Sequence, residues 1–127
     1  MIYIHPIGGL GNMMFHIASI WTLAKDNNDE LGLIDINKKI HDLIHDTRAN
    51  TDHAEQFRYL LERFPEANRI IGSTIYPLGY HKLTYTKDIE YIGYFQSENF
   101  FKHRREEIIE LFKPTNEITQ LFLLFYV

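Results

Sequence analysis

A glycine-rich turn between two apolar segments sets the strongest constraint on how this chain folds. Residues 8–12 contain three glycines and end at Asn12. The short apolar run 2–4 precedes the turn, and an apolar segment extends from it to Ala24. This order predicts a buried strand, a tight turn and a buried helix for which Asn12 is the N-cap. The backbone N–H groups at such a turn favour a phosphate group or another anion.

The composition is that of one folded domain. The chain has 127 residues, of which 45% are hydrophobic and 24% are charged. A formal net charge of −4 argues against a general affinity for nucleic acid, because binding to phosphate backbones needs a basic surface. The absence of cysteine excludes disulfide and thiolate chemistry.

The longest uniformly apolar run lies near the end of the sequence, from Leu121 to Val127. It is much shorter than the roughly 20 residues that cross a bilayer, and no signal-peptide pattern begins the chain. We therefore expect a cytoplasmic protein that is at most peripheral to a membrane. An apolar patch of this kind also favours association, so we predict self-association through this run.

The rest of the chain alternates between strand and helix patterns. Strands are expected at 31–36, 69–75 and 90–95, and helices at 38–45, 53–64, 98–112 and 117–126. The tyrosine-rich stretch 76–87 has no helical period and is expected to hold a short strand or an extended surface segment. Ser97 is the expected N-cap of the helix at 98–112. This alternation predicts a layered α/β domain with a mainly parallel sheet.

A dinucleotide site is the most general interpretation of the turn. Gly9 and Gly11 supply a G-x-G pattern, and Asp35 lies near the end of the second predicted strand, where a ribose-binding carboxylate belongs. Met14 occupies the position of the third glycine, which opposes the close helix–strand packing of such sites. No Gly-Lys-Ser/Thr follows, so a P-loop is excluded.

Two separated blocks indicate a particular family. Residues 8–18 read GGLGNMMFHIA, and residues 93–98 read GYFQSE. In this order they resemble the GGLGNQMFQYA and GYFQSE signatures of the alpha-1,2-fucosyltransferase family, glycosyltransferase family 11. The chain departs from the first signature at Met13 and His16, where the family usually has glutamines, and at Ile17, where it usually has tyrosine.

The resemblance covers almost the whole chain but only the N-terminal part of the family's length. It implies a Rossmann-like domain, residues 1–127, equivalent to the N-terminal lobe of a GT-B-type glycosyltransferase whose C-terminal donor-binding lobe is absent. It also implies an enzyme that transfers fucose from GDP-fucose to a galactose 2-hydroxyl group of a glycan, with no metal or other cofactor. The family's His-x-Arg-x-Gly-Asp block is missing, so we expect a truncated chain that is weakly active or inactive alone.

The candidate site residues combine the resemblance with positions after the ends of predicted strands, where α/β sites form, although a structural role is preferred for residues 96–98. The expected donor-binding residues are Gly8, Gly9, Leu10, Gly11 and Asn12. Candidate substrate contacts are His5, His16, Gln96, Ser97 and Glu98. The catalytic residue is unknown, because the arginine-bearing block is absent. A non-catalytic glycan-binding lobe and, less strongly, a dinucleotide-binding domain remain the alternatives.

Other patterns favour structural roles. His41 and His45 have a helical spacing that can bind zinc, but no third ligand is evident, and two solvated histidines are the preferred interpretation. The basic cluster at 102–105 is expected to be a solvated helix face balanced by nearby glutamates. The tyrosines between positions 76 and 94 can stack on sugar rings, although core packing is expected for most of them.

Overall fold

The computed structural model describes residues 1–6, 10–38 and 58–113. Four short strands form one sheet: β1 (Ile2–Ile4), β2 (Leu31–Leu33), β3 (Gly72–Ile75) and β4 (Ile89–Ile92). They lie in the order β2-β1-β4-β3, and all of the neighbouring pairs are parallel. The prediction of an α/β domain with a parallel sheet is therefore confirmed.

The first helix, α1 (Leu10–Asp26), connects β1 to β2 and packs on the sheet. It is buried on more than one side, as predicted, because small and apolar residues occupy most of its circumference. Its fully buried residues include Met13, Ile17, Ala18, Ile20 and Ala24. The helix ends at Asp26, and the polar residues that follow turn the chain through Asn28, whose φ is +54°.

The start of α1 differs from the prediction. The helix begins at Leu10, so Asn12 lies within the first turn and is not the N-cap. Gly11 also adopts helical backbone there, although a glycine in a helix is less favourable than alanine by about 0.5–1 kcal/mol. Burial of Met13 and Ile17 on the sheet compensates for this cost, because most helix stability in proteins comes from packing.

The hydrophobic core lies between the sheet, α1 and the chain that precedes Pro65. Residues 58–61 are helical, and Leu60, Leu61 and Phe64 are buried, in agreement with the predicted inward face. The chain then runs beside β2, where Leu33 N–H donates to the Pro65 carbonyl at 2.9 Å. The rest of the predicted helix at 53–64 lies outside the described residues.

The outer strands are shorter than predicted. β2 ends at Leu33, and the chain turns at Asp35, whose φ of +52° is incompatible with a continuing strand. β3 begins at Gly72, and its residues are mostly exposed. Residues 76–86 form neither helix nor strand, so the short strand that is one of the two alternatives for 76–87 is absent.

The predicted helix at 98–112 is broken into three pieces. Two short 3₁₀ turns, Glu98–Phe100 and Lys102–Arg104, precede α2 (Arg105–Leu111). The break falls at Phe101, whose φ and ψ of −137° and 7° are not helical. Inward packing of Phe100 against Phe95, and the contact of Phe101 with Phe15, require this change of direction.

Four of the predictions fall on residues that are not described. The helices at 38–45 and 117–126 lie outside the described ranges, apart from residue 38 itself, and so do the His41–His45 pair and the run from Leu121 to Val127. Self-association through that run stays a prediction. Within the described ranges, no helix is long and apolar enough to cross a membrane.

Candidate functional site

The two sequence blocks meet at one edge of the sheet. β1 and β4 are adjacent central strands, paired in parallel through Tyr3 and Glu90. Their carboxyl ends therefore lie side by side, where ligands of α/β proteins commonly bind. The first block follows β1 and opens α1, and the second block follows β4 directly. Residues separated by some eighty positions in the sequence are brought to the same place.

A hydrogen bond joins the two blocks. The Nε2 of Gln96 donates to the Oδ1 of Asn12, which lies in the first turn of α1. Gln96 is exposed and Asn12 is partly buried, so the pair lies at the surface of this edge. The first-turn backbone N–H groups of α1 have no intrahelical acceptor, so this surface is rich in donors.

His16 lies beneath this surface rather than on it. Only 2% of the residue is exposed, and its Nε2 donates to the Tyr91 carbonyl at 3.1 Å. The imidazole also stacks on Phe95, with ring centroids 5.3 Å apart. The prediction that His16 contacts a substrate is therefore wrong, because the side chain is buried. The side chain instead ties α1 to the end of β4.

Burial keeps His16 neutral. Desolvation lowers the pKa of His16 to about 4; the bond to the Tyr91 carbonyl opposes this shift, and the nearby charge of His5 adds to it. Because Nε2 is the donor, Nδ1 carries the lone pair, and it has no hydrogen-bond partner among the described residues.

The segment that leads from β4 to Gln96 has an unusual backbone. Gly93 has a φ of +156°, and a Cβ atom there would lie 3.1 Å from the Tyr76 carbonyl oxygen. Phe95 has a φ of +52°, which is rare for a bulky residue. The Oγ of Ser19 donates to the Phe95 carbonyl at 3.2 Å and holds this turn against α1. Sequence reasoning did not identify Ser19, and only its helical spacing from Asn12 and His16 could have indicated it.

Ser97 and Glu98 follow at the start of the first 3₁₀ turn. The Ser97 hydroxyl accepts from the backbone N–H of Asn99 at 3.3 Å, so the predicted N-cap is confirmed. Glu98 occupies the first position of this turn and is exposed. His5, directly after β1, is also exposed. Gly8 and Gly9 lie outside the described residues, while Leu10 and Gly11 open α1.

An aromatic cluster continues from Phe95 to the surface. Phe95 contacts Phe100 edge-on at 5.6 Å, and Phe100 in turn contacts Tyr80 at 4.9 Å. Tyr91 is buried, as core packing predicts, whereas Tyr80 and Tyr94 are about half exposed. The sequence did not distinguish these exposed rings from the buried ones.

Two side chains of the basic cluster after the second block, His103 and Arg104, are already paired with Asp26. Arg104 donates from Nε to Asp26 at 2.6 Å and from Nη1 to Glu107 at 2.9 Å. The prediction of a solvated basic cluster balanced by glutamates is thus confirmed for Arg104, with Asp26 as a further partner. No group of three metal-binding side chains occurs in the described part of the chain. Asp35 is exposed in the turn after β2.

Comparison with known proteins adds no relative. No family model, curated protein or solved structure matches this chain. The described part of the chain shows its fold class, which is an α/β domain with a four-stranded parallel sheet.

Proposed function

We propose that this chain is the N-terminal lobe of a glycosyltransferase of the alpha-1,2-fucosyltransferase type. In this proposal the α/β unit is the Rossmann-like N-terminal lobe of a GT-B-type enzyme, and the enzyme transfers fucose from GDP-fucose to a galactose 2-hydroxyl group of a glycan. The observation that carries the proposal is the hydrogen bond between Asn12 and Gln96. Each residue belongs to one of the two blocks that resemble the family, and the fold joins them at one edge of the sheet.

The positions of the departures from the family pattern support the same proposal. Met13, His16 and Ile17 differ from the usual residues, and all three are buried. Asn12 and Gln96, which agree with the pattern, lie at the surface. The differences therefore change the packing of α1 and leave the polar edge intact. This distribution is expected where a ligand acts on the edge and only packing constrains the interior.

The proposed chemistry requires stabilisation of a nucleoside diphosphate leaving group. Backbone N–H groups of the first turn of α1 and the side chain of Asn12 are suited to donate hydrogen bonds to this group and so to stabilise part of the negative charge that develops on it. The stronger, charge-assisted part requires an arginine. Arg104 is engaged with Asp26 and Glu107, so it is not placed to serve. We therefore expect weak donor binding and little or no transfer by this chain alone.

The acceptor glycan would contact the same edge. His5 and Glu98 supply exposed polar groups there, Ser97 is partly buried beside them, and Tyr80 and Tyr94 are about half exposed. Aromatic rings of this kind combine apolar contact with a polar tip, which suits a sugar ring. A lobe that holds a glycan without turnover would use the same residues, and the experiment below separates the two cases.

Nuclear magnetic resonance titration of the ¹⁵N-labelled chain tests the proposal. GDP-fucose is expected to shift the backbone resonances of residues 10–12 and 96–98, and Asn12→Ala is expected to weaken the effect about tenfold or more. Adding a separately produced C-terminal lobe of a family enzyme should tighten donor binding. Shifts with lactose but none with GDP-fucose would instead indicate a glycan-binding lobe.

A matched variant distinguishes the dinucleotide alternative. NAD shifts that disappear in Asp35→Ala but persist in Asn12→Ala would replace the proposal with a dinucleotide-binding domain, because a ribose-binding carboxylate is specific to that class. A normal rate of fucose transfer by the isolated chain would show that the missing arginine block is dispensable.

A further inference from the structure

The two outer strands of the sheet differ in what lies beyond them. The outer edge of β2 is occupied: the Leu33 N–H donates to the Pro65 carbonyl at 2.9 Å, and the Leu33 carbonyl accepts from the Ala67 N–H at 3.0 Å. β3 is the outer strand at the other end, and no strand of the described part lies beyond it. Among these residues, one edge of the sheet is therefore closed and the other is open.

The open edge presents backbone groups that no described strand binds. The N–H of Tyr76, directly after β3, donates to the Ile92 carbonyl at the end of β4 at 2.9 Å. Backbone groups alternate in direction along a strand, so Thr74 also faces β4, whereas the N–H and C=O groups of Ser73 and Ile75 point away from it. These outward groups can form the ladder to one additional strand.

Apolar side chains are concentrated beside these groups. Ile71, Ile75 and Leu78 are 69%, 74% and 75% exposed, which are the highest values among the large hydrophobic residues in the described ranges. Natural proteins protect open edges with charged residues, prolines or bulges, but residues 70–76 contain neither a charged residue nor a proline. This edge therefore favours pairing with another strand, and its gathered apolar residues mark an interaction surface.

The edge is complementary to a second copy of itself. Ile71, Ser73 and Ile75 lie on one face, because side chains alternate along an extended chain. In an antiparallel pair centred on Ser73, each Ile71 lies opposite Ile75 of the other copy. The exposed isoleucines of both copies then pack as cross-strand pairs, which are the units that stabilise a sheet.

The distribution of charge also favours a second copy. The chain has a formal net charge of −4, yet no Asp, Glu, Lys or Arg lies between residues 70 and 80. Two copies can therefore meet at this edge without bringing like charges together, which would be costly at an interface. A charged partner, by contrast, gains no ion pair here. An uncharged edge with alternating apolar residues is the matching surface, and the same chain supplies it.

We propose that β3 is a self-association edge, at which two copies of this chain pair antiparallel and join their sheets. A two-fold axis perpendicular to the sheet produces this arrangement, because each copy then contributes the same surface. Since the outer edge of β2 is occupied, the pairing ends at a dimer. The inference is independent of the proposed function and of the predicted association through the run from Leu121 to Val127.

The expected dimer is weak. A single contact between two edges is smaller than a standard protein interface, so we expect a dissociation constant on the order of 10–100 µM. The chain is then a monomer with an exposed β3 in dilute solution. Sedimentation equilibrium of the full 127-residue chain over a range of concentrations that brackets this constant measures the association.

A lysine at the centre of the pairing tests the interface. Ser73→Lys is expected to weaken association more than tenfold, because the centred register places two lysines opposite each other. Its melting temperature should stay close to that of the wild type, because Ser73 is exposed. Asn99→Lys is the control: it adds the same charge at an exposed position outside the edge and should associate as the wild type does.

A charge swap tests the register. Ser73→Lys and Ser73→Glu should each remain monomeric alone, and an equimolar mixture should recover the dimer, because each lysine then faces a glutamate. Leu124→Lys places the same charge within the apolar run at 121–127 and should leave the β3 dimer in place.

Amide hydrogen exchange gives a second readout that needs no variant. In the wild type, the N–H groups of Ser73 and Ile75 should exchange more slowly as the concentration rises through the dissociation constant. The N–H of Thr74 faces β4 and is the internal control, so its exchange rate should not depend on the association.

The outcomes either support or overturn the inference. A dimer that Ser73→Lys removes and the mixed variants restore supports it. A monomer at every concentration would overturn it, and slow exchange at Ser73 in that monomer would show that another part of the same chain covers the edge. Association that Leu124→Lys abolishes and Ser73→Lys does not would assign the interface to the apolar run. Species larger than a dimer would show that the sheet has a second open edge, which also contradicts the inference.

Discussion

The strands β1 and β3 were both predicted from runs that contain two or more isoleucines, but they have opposite environments. All residues of β1 are buried, whereas β3 is exposed along almost its full length. The difference lies in their neighbours, because β1 pairs with both β2 and β4, while β3 pairs with β4 alone among the described strands.

The comparison indicates where a site can form on this sheet. Two adjacent carboxyl ends are needed to bring separate segments together, and the central pair of β1 and β4 provides them. The chain after β3 instead runs into an exposed, extended segment, with Leu78 three-quarters exposed. The local sequence predicted a strand in both places, but only β1 has a central position in the sheet, next to a second strand end that can contribute to a site.

The largest expected effect separates these two strands directly. Ile4→Ala in β1 creates a cavity at a fully buried position and is expected to lower the free energy of unfolding by about 2–5 kcal/mol. Ile75→Ala in β3 removes the same atoms from a residue that is 74% exposed, and is expected to change it by less than about 0.5 kcal/mol. Urea denaturation of both variants measures the difference. Equal losses would mean that β3 is covered in solution.

A second prediction concerns His16, which ties the helix to the central strand β4. Its pKa in the folded chain is about 4, below the ordinary value of 6.5, so the unfolded chain binds more protons between these two pH values. The folded chain therefore has its full free energy of unfolding above pH 6.5, and this free energy decreases as the pH falls from 6.5 toward 4. The loss over the whole window is roughly 3 kcal/mol.

His16→Gln is the matched test of this pH dependence. Glutamine cannot titrate, retains an Nε2 donor for the Tyr91 carbonyl, and is the residue usual at this position in the family that the chain resembles. Denaturation midpoints between pH 7 and pH 4 should fall more steeply for the wild type than for the variant. Parallel curves for the two proteins would show that His16 is accessible to solvent.

The third prediction concerns a peripheral contact, which should contribute less than the central ones. Partial burial by itself raises the pKa of Asp26, but bonds from Arg104 and His103 outweigh it and leave the pKa below its ordinary value. The resulting stabilisation is present above the ordinary pKa of 3.8 and is lost as the pH falls through the lowered value. Arg104→Gln is expected to cost about 1 kcal/mol at pH 7 and much less once the pH is below the lowered pKa of Asp26.

Arg105→Gln is the control for that comparison. Arg105 is exposed and makes no ion pair within the described ranges, so its replacement should change stability by less than about 0.5 kcal/mol. If both variants lose equal stability, net charge rather than the contact with Asp26 is responsible.

The smallest expected effect concerns two glycines that have space for a side chain. A Cβ atom at Gly11, in α1, or at Gly72, in β3, would meet no other atom within 4 Å. Either alanine substitution is expected to raise stability slightly, by about 0.5 kcal/mol, because glycine loses more conformational freedom on folding. Only Gly11→Ala should weaken the GDP-fucose titration, since a methyl group there stands over the proposed donor site. Identical titrations for the two variants would place the ligand elsewhere.

Local patterns predicted the elements better than their arrangement. The apolar run 13–24 indicated α1, and Ser97 indicated the turn that it caps, because both signals are local. The break at Phe101 accompanies packing against the distant ring of Phe15, which no local pattern records. The same holds for the site: the two blocks were recognisable, but the buried position of His16 followed from the sheet order.

The order of strands also governs how the chain can fold during synthesis. One of the two partners of β1 is β4, which follows much later in the sequence. Tyr3 can therefore pair with Glu90 only after β4 has been synthesised. Until then β1 can pair only with β2, so one side of β1 is left open. Closing such a long loop before gaining its contacts slows folding. The candidate site needs β4 beside β1, so it exists only after this long-range pairing has formed.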